Sequence, residues 1–499
     1  MKRRAFLGSL GAGVAGLTPA PAGGSEGGGV TTSPGTEITP QESTALDLSA
    51  LPNFCGHEHW GSIDSIGMVP EGYRADVERG ATPKRKTGVF DILLDPYFGG
   101  FLAASGVTPK DVAKQAGVAN FRSMALESPA EALKLLRPIL ARQQLTGTYQ
   151  CIRRGLVALY GVDISSGEPD AIARLGSDIG RNYTKIFTWY RTAMKQARFT
   201  ELIRIVHPEY YIREESPETA AEDTSLTHTL MRIDPLLELW KKVSPRRDGL
   251  ARIAGVEPKD ATTWRAFIAG LFDLAAAHQA GGIKQLQAYT RPLEYLPRQD
   301  NEVVWSGDLS AGQVRIFQDW VMHECCKQAN DRSWIHQVHV GTNNITESSP
   351  MPLGPLAQRY PHMKIVMLHC WPFLREAGWL AKYHQNIYIT TCWQPVLNPA
   401  FFLEAMTGWL NYVPIHKLTC DHDSTSVEMA VGSSLFTREI LGEALRERSA
   451  HLGMTERDLT GIALDMLHNN MVAIYGIGKR IPLEKLEDWP SWYYSSSPA

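Results

Sequence analysis

His57 and His59, in the run Gly56-His57-Glu58-His59-Trp60, are two imidazoles one residue apart at the end of an apolar stretch. Side chains of an extended chain alternate in direction, so residues two apart face the same way and these rings form a ready pair of metal ligands. Three further polar residues end strand-like runs much later in the chain. His339 closes Trp334-Ile335-His336-Gln337-Val338-His339, His369 closes Lys364-Ile365-Val366-Met367-Leu368-His369, and Asp423 follows Lys417-Leu418-Thr419-Cys420. Neutral imidazoles with a carboxylate suit zinc, and also manganese, iron or nickel, and a set of three or four protein ligands with an open position is catalytic in character. Such a cation lowers the pKa of its water to about 7 and polarises a carbonyl, and an adjoining carboxylate can carry the proton to a leaving group.

The intervals between these residues say which elements must hold them. His339 and His369 are 30 residues apart, one strand plus one crossover helix, and His369 and Asp423 are 54 apart, two such units. Asn386 to Thr391 supplies the missing strand, with helical patterns at Leu374 to Tyr383 before it and Phe401 to Met406 after it. Strands each trailed by a helix, with polar groups at the strand C-termini, predict an α/β fold, a (β/α)8 TIM-type barrel. Phe54-Cys55 leads the first strand; Arg204 to His207, Leu230 to Asp234 and Ile283 to Tyr289 are the candidates for the second, third and fourth. Between the first and second strands, about 91–198, apolar spacings of three and four predict helices at Pro109 to Gln115, Pro129 to Gln143, Gln150 to Tyr160 and Ala171 to Ser177. That is too long for one crossover, so a helical insertion beside the active mouth is expected. Thr262 to Gln279 is the clearest of the later helices.

With these residues in place the chain resembles the metal-dependent hydrolases of the amidohydrolase superfamily. It is most similar to the amidohydrolase-related branch, which includes carboxylate decarboxylases, lactone hydrolases and relatives of uronate isomerase. The resemblance spans about Leu51 to Tyr475 and is strongest over the last 170 residues of that span. It implies that His57, His59 and Asp423 are metal ligands and that His339 is a further ligand or orients water. His369 would polarise the substrate or donate a proton, making Asp423, His369 and His339 the catalytic set. The family pattern has Gly two residues before the strand-8 Asp where this chain has Asp421; Asp423 is preferred because Ser424 to Glu428 then aligns as the following loop. Lys284 matches a lysine that some binuclear members carbamylate, but a snorkelling or salt-bridged lysine is the plainer reading, and without it the site is mononuclear. The resemblance implies a hydrolase acting on an amide, lactone or ester of a small molecule, or else a decarboxylase or an aldose-ketose isomerase. A barrel that binds metal or ligand without turnover is the alternative from another class.

Other polar residues carry weaker signals. Arg232 shares a face with Asp234, so it either receives a substrate carboxylate through its planar fork or braces the barrel. Arg291 and Trp393 follow strand ends and are candidates for lining the mouth. His336, three residues before His339, faces the other side of its strand and reads as structural; the remaining histidines have no comparable context.

Composition narrows the function classes. Of 499 residues 43% are apolar and 21% charged, with a net charge of −3, which leaves no electrostatic footprint for nucleic acid or an anionic membrane. The first 22 residues differ: Lys2-Arg3-Arg4 precedes an apolar, glycine-rich run and Ala20-Pro21-Ala22, resembling a twin-arginine export signal that is cleaved and places the protein in the periplasm or outside the cell. That run is too short to span a bilayer, which takes roughly 20 residues. Residues 23–48, rich in Gly, Ser, Thr and Pro, read as a flexible lead, 49–478 as the barrel, and 479–499 as a tail. Seven scattered cysteines with no C-x-x-C indicate neither a disulfide framework nor a zinc knuckle. Neither subunit number nor metal identity has a readable code.

Overall fold

Eight runs of apolar residues form eight parallel strands: β1 Asn53–Glu58, β2 Phe199–Val206, β3 His228–Arg232, β4 Gly282–Gln285, β5 Ile335–Val340, β6 Lys364–His369, β7 Ile387–Thr390 and β8 Leu418–Thr419. Each pairs with the next in chain order in one sheet. A computed structural model describes residues 46–59, 87–93, 106–212, 227–342 and 344–494, so the run that resembles an export signal and most of the polar lead lie outside the described residues. The strands are buried on both faces, which is why they read as nearly continuous apolar runs. The sheet curls until the chain after β8 meets β1: Asp423 N donates to His57 O at 3.1 Å and His59 N donates to Ser424 O at 2.9 Å. Five of the strands match their sequence-predicted positions to within two residues at each end, but β2 begins at Phe199, five residues early, and β4 stops at Gln285, where a 3-10 turn, Gln287–Tyr289, takes over.

Among the described residues seven α-helices lie between β1 and β2: α1 Val89–Leu93, α2 Pro109–Gln115, α3 Phe121–Glu127, α4 Pro129–Leu140, α5 Gly147–Tyr160, α6 Pro169–Asn182 and α7 Ile186–Gln196. Three of them, α1, α3 and α7, were not individually expected; α3 is only seven residues long and is fixed by Asn120, whose side chain accepts from Arg122 N and Ser123 N. The segment has its own core, including Leu133, Leu136, Ile152, Leu156, Leu175 and Ile179. After β3 the strands alternate with α8 Pro245–Ala254, α9 Ala261–Ala277, α10 Ala311–Asp331, α11 Leu353–Arg359, α12 Leu374–Tyr383, α13 Gln394–Leu397 and α14 Pro399–Trp409. Beyond β8 come α15 Val427–Ser449, α16 Glu456–Leu464, α17 Asn470–Tyr475 and α18 Trp489–Tyr493. The expected loop after Asp423 is shorter than its alignment implied, because Ser426 accepts from Met429 N and starts α15 at Val427.

Residues 479–494 are not a loose tail. Their aromatic side chains bury: Trp489 Nε1 donates to Ala50 O at 3.2 Å, Tyr493 OH donates to Glu201 at 2.9 Å, and Tyr494 OH donates to Phe199 O at 2.7 Å. Leu46 and Leu48, read as the end of the flexible lead, likewise belong to the main core. No helix among the described residues is long and apolar enough to cross a membrane.

The helices between β1 and β2 are held against α15 by a close backbone crossing. A Cβ at Gly155 would stand 1.8 Å from Glu428 O, and one at Gly432 would stand 1.6 Å from Cys151 O. Both obstacles are backbone, which cannot swing aside. Around the crossing, Glu428 accepts hydrogen bonds from Tyr160 and Tyr183, each at 2.6 Å, and from Trp189. Gly155→Ala or Gly432→Ala is therefore expected to cost about 1–3 kcal/mol through overpacking, seen as a lower urea midpoint; an unchanged midpoint would show that the two helices do not cross this closely.

Candidate metal centre

From His57 onward, the end of β1 is pinned to the chain that starts at Asp423 by three bonds among the described residues. To the two backbone bonds of the closure is added Ser424 N, donating to the Glu58 carboxylate at 2.6 Å. Glu58, between the histidines, points away from them and also accepts from Cys55 Sγ at 3.1 Å. This alternation leaves His57 and His59 together, their Nε2 atoms 3.1 Å apart. Asp423 Oδ1 lies 3.8 Å from His57 Nε2 and 3.5 Å from His59 Nε2, and Asp423 Oδ2 lies 3.6 Å from His369 Nε2. Four of the five residues singled out from the sequence therefore meet directly.

Neighbouring residues set the direction of the lone pairs. Gln337 must direct its NH2 at the Gly56 carbonyl, 2.6 Å away, so its Oε1 accepts from His57 Nδ1 at 2.6 Å. His57 Nε2 then carries the lone pair, aimed at His59 and Asp423. His369 Nδ1 donates to Cys392 O at 2.9 Å, so in the neutral ring its Nε2 also presents a lone pair; that atom is buried and has no hydrogen-bond partner among the described residues. Burial, with Lys284 and His59 nearby, holds His57 well below the usual imidazole value; burial with Arg232 and Lys284 brings His59 down to about 3. Burial and Lys284 do the same to His369. Neutral rings with convergent lone pairs beside a carboxylate are the donor set a divalent cation requires, so the residues present fit such an ion.

Asp421 and Asp423 divide their work. Asp421 accepts from Gly56 N at 2.5 Å and from Thr390 Oγ1 at 2.7 Å, bracing β1 and β7 from inside, and burial pushes its carboxyl up to about 7. Asp423 faces the histidines. Its φ is +56°, and His369 and Trp393, at the ends of β6 and β7, stand at +64° and +65°. A left-handed backbone at residues other than glycine costs on the order of 1–3 kcal/mol each and concentrates where geometry matters for function.

The remaining sequence candidates fall into two groups. His339 sits beside this cluster rather than in contact with Asp423: its Nε2 pairs with Thr342 Oγ1 at 2.7 Å, and its ring centre lies 4.3 Å from that of His369 and 4.4 Å from that of Tyr289. Trp393 packs on His369, with ring centres 5.4 Å apart. Arg232 is half-buried, 3.4 Å from Asp234 and 3.5 Å from His207 Nε2, and close enough to depress His59. Arg291 does not line the mouth. Its guanidinium is buried against Asp319 at 2.5 Å, Gln318 at 3.2 Å and Glu294 O at 2.7 Å, which uses its donors to brace α10. Lys284 is corrected as well: it does not snorkel, because it is wholly buried, with no hydrogen bond to its Nζ among the described residues. Burial lowers its pKa to about 8 against the opposing pull of Asp423. His336 points outward, 3.8 Å from Cys326 Sγ on α10.

Two contributors were missed. Gln337 carries a readable signal, since it lies two residues before His339 and so shares its face. Cys392 carries none: its Sγ lies within 4.8 Å of a His57 ring nitrogen and of an Asp423 oxygen, a consequence of how β7 ends.

The fold is thus an α/β arrangement of eight parallel strands with histidines and an aspartate gathered at the strand C-termini. Solved structures share this fold. A glucuronate isomerase from Caulobacter crescentus aligns with a TM-score of 0.65 at 15% identity, covering 87% of this chain and 94% of the other. A uronate isomerase from Thermotoga maritima gives 0.64 at 12% identity, covering 86% and 96%. A protein described as a metal-dependent hydrolase, from Lactobacillus casei ATCC 334, gives 0.54 at 16% identity, covering 87% and 98%. No protein-family profile matches the chain, and no curated protein matches it in sequence.

Gln337→Leu should leave the fold intact but free the His57 ring, weakening divalent-metal affinity by about 10–100-fold in a competition titration with a chelating dye. Affinity equal to that of the unaltered protein would show that Gln337 does not orient a ligand.

Proposed function

We propose that this chain is an exported metal-dependent hydrolase of the amidohydrolase type, acting on an amide, lactone or ester of a small molecule. In this reading the eight strands close as a (β/α)8 barrel, and the helices of 89–196 are an insertion reaching its catalytic rim. Burial of Trp393, Val396 and Met429 in the core of those helices supports that placement. The observation that carries the function is the convergence of His57, His59, Asp423 and the unpartnered Nε2 of His369.

His57, His59 and Asp423 would hold the cation, with His339 beside them. The ion, zinc in the first instance, would supply an activated water and an electrophile for the substrate carbonyl. Asp423 accepts the proton lost from the nucleophile on the carboxylate oxygen facing His369 and passes it on. Because His369 Nδ1 is committed to Cys392 O, His369 must first take up a proton at Nε2 before it can donate to a developing oxyanion or leaving group. It therefore acts as acceptor, then donor. Trp393 packs on that ring and fixes its plane. Arg232, beside His59, orients a substrate carboxylate through its fork.

A second reading, isomerisation or decarboxylation at the same residues, is favoured by one feature. Arg232 and Arg246 both lie against His207, the latter at 3.1 Å; Arg246 is held by both oxygens of Glu209 while Arg232 meets Asp234 only at 3.4 Å, which leaves Arg232 as the guanidinium to receive a sugar acid or other carboxylate. The likeness to uronate isomerases supports it as well.

A panel of amides, lactones, esters and sugar acids, scored by product, separates these chemistries. Asp423→Asn should lower turnover of any accepted substrate by about 10²–10⁴-fold, and full turnover in that variant would refute the assignment. Arg232→Met should raise KM at least about tenfold for a carboxylate-bearing substrate with kcat little changed, and leave a neutral analogue unaffected; equal effects on both would assign Arg232 to the frame. Export rests on Arg3-Arg4 and the apolar run after them. Replacing both arginines by lysine should retain the unprocessed chain in the cytoplasm, and continued export would remove the twin-arginine reading.

A further inference from the structure

We infer that Cys392 is a metal ligand of this site, its thiolate joining His57, His59 and Asp423 to give a mixed sulfur, nitrogen and oxygen set. The inference rests on the reading that a cation binds here, and it specifies that cation's chemistry. Among the described residues the group of imidazole, thiol and carboxylate donors close enough to share an ion is His57, Cys392 and Asp423, all within 4.8 Å of one another and all buried.

A free cysteine in a core is ordinarily a small apolar filler. Cys325 and Cys326 fit that description, packed in the main apolar core on α10. Cys392 also belongs to an apolar cluster, but it differs in having His57 and Asp423 beside its Sγ and in how firmly it is held. Its carbonyl accepts from His369 Nδ1 at 2.9 Å, and its N–H donates to Thr390 Oγ1 at 3.3 Å. The next residue, Trp393, takes the left-handed backbone that turns the chain out of β7. Both sides of the cysteine are thus fixed while its side chain faces His57 and Asp423.

An independent observation also points to a missing ligand. Lys284 Nζ and His369 Nε2 are wholly buried polar atoms without hydrogen-bond partners among the described residues. Of the charges that act on Lys284, Asp423 comes first and Cys392 second. Buried polar atoms are rarely left unsatisfied unless something binds beside them. A thiolate on the ion favours zinc over manganese or magnesium, which prefer all-oxygen shells, and so separates the metals that the histidines and aspartate alone do not distinguish.

X-ray absorption at the zinc edge of the zinc-loaded full chain tests this without any variant. The expected result is a sulfur scatterer at about 2.3 Å beside nitrogen and oxygen at about 2.0–2.2 Å. Cys392→Ser should lose the sulfur shell, lose the sulfur-to-cobalt charge-transfer absorption of the cobalt form, and bind zinc at least about tenfold more weakly. Its metal-free unfolding midpoint should be unchanged. Zinc bound through nitrogen and oxygen alone, or a sulfur shell that survives in Cys392→Ser, would overturn the inference and leave the cation site standing. A chain that takes up no zinc would overturn both.

Discussion

The closure between the end of β1 and the chain after β8 is the constraint on which the site depends. Two backbone hydrogen bonds and the bond from Ser424 N to Glu58 hold His57, His59 and Asp423 in one frame, although more than 360 residues separate them in sequence. An imidazole pair on one strand is common enough; a carboxylate brought to it by the last strand of a curled sheet is not. Glu58 illustrates the economy of the H-E-H run, since the residue that cannot face the cation position ties down the loop carrying the aspartate.

The interior around that closure is unusually polar. Lys284, Gln337, His369, Thr390 and Asp421 are all wholly buried, in the region where a barrel-like sheet ordinarily packs branched apolar residues. Most are satisfied: Asp421 by Gly56 and Thr390, Gln337 by Gly56, His57 and Tyr475. Gly56 takes part in both networks and has no room for a side chain, because a Cβ there would stand 2.3 Å from Met471 Cε and 2.9 Å from the Tyr475 hydroxyl. The atoms left over, Lys284 Nζ and His369 Nε2, face the place where the histidine and aspartate donors converge. Stability alone disfavours such an arrangement, since an unpaired buried polar group costs about 1–3 kcal/mol. A ligand that completes it gives the expense a reason.

Much of this was legible in the sequence because parallel strands buried on both faces are apolar runs that stop abruptly, and the residue at the stop is the one that faces the site. That rule located β5, β6 and β8 and with them His339, His369 and Asp423. It failed for Arg291, whose place after a strand end does not reveal that Asp319, 28 residues later on α10, captures its guanidinium. It failed for Cys392 because a cysteine after a strand looks the same whether it fills a core or faces a cation. The aromatic residues of 479–494 were read as a tail because they lie beyond the last β/α unit, yet they cover the opening of β1 and β2.

The most direct test of the central claim is a crystal structure of the zinc-loaded chain with diffraction recorded on both sides of the zinc absorption edge. The account predicts one anomalous peak between His57, His59 and Asp423, within bonding distance of all three, about 2.0–2.2 Å. No peak there, or a peak bound by other residues, would contradict it.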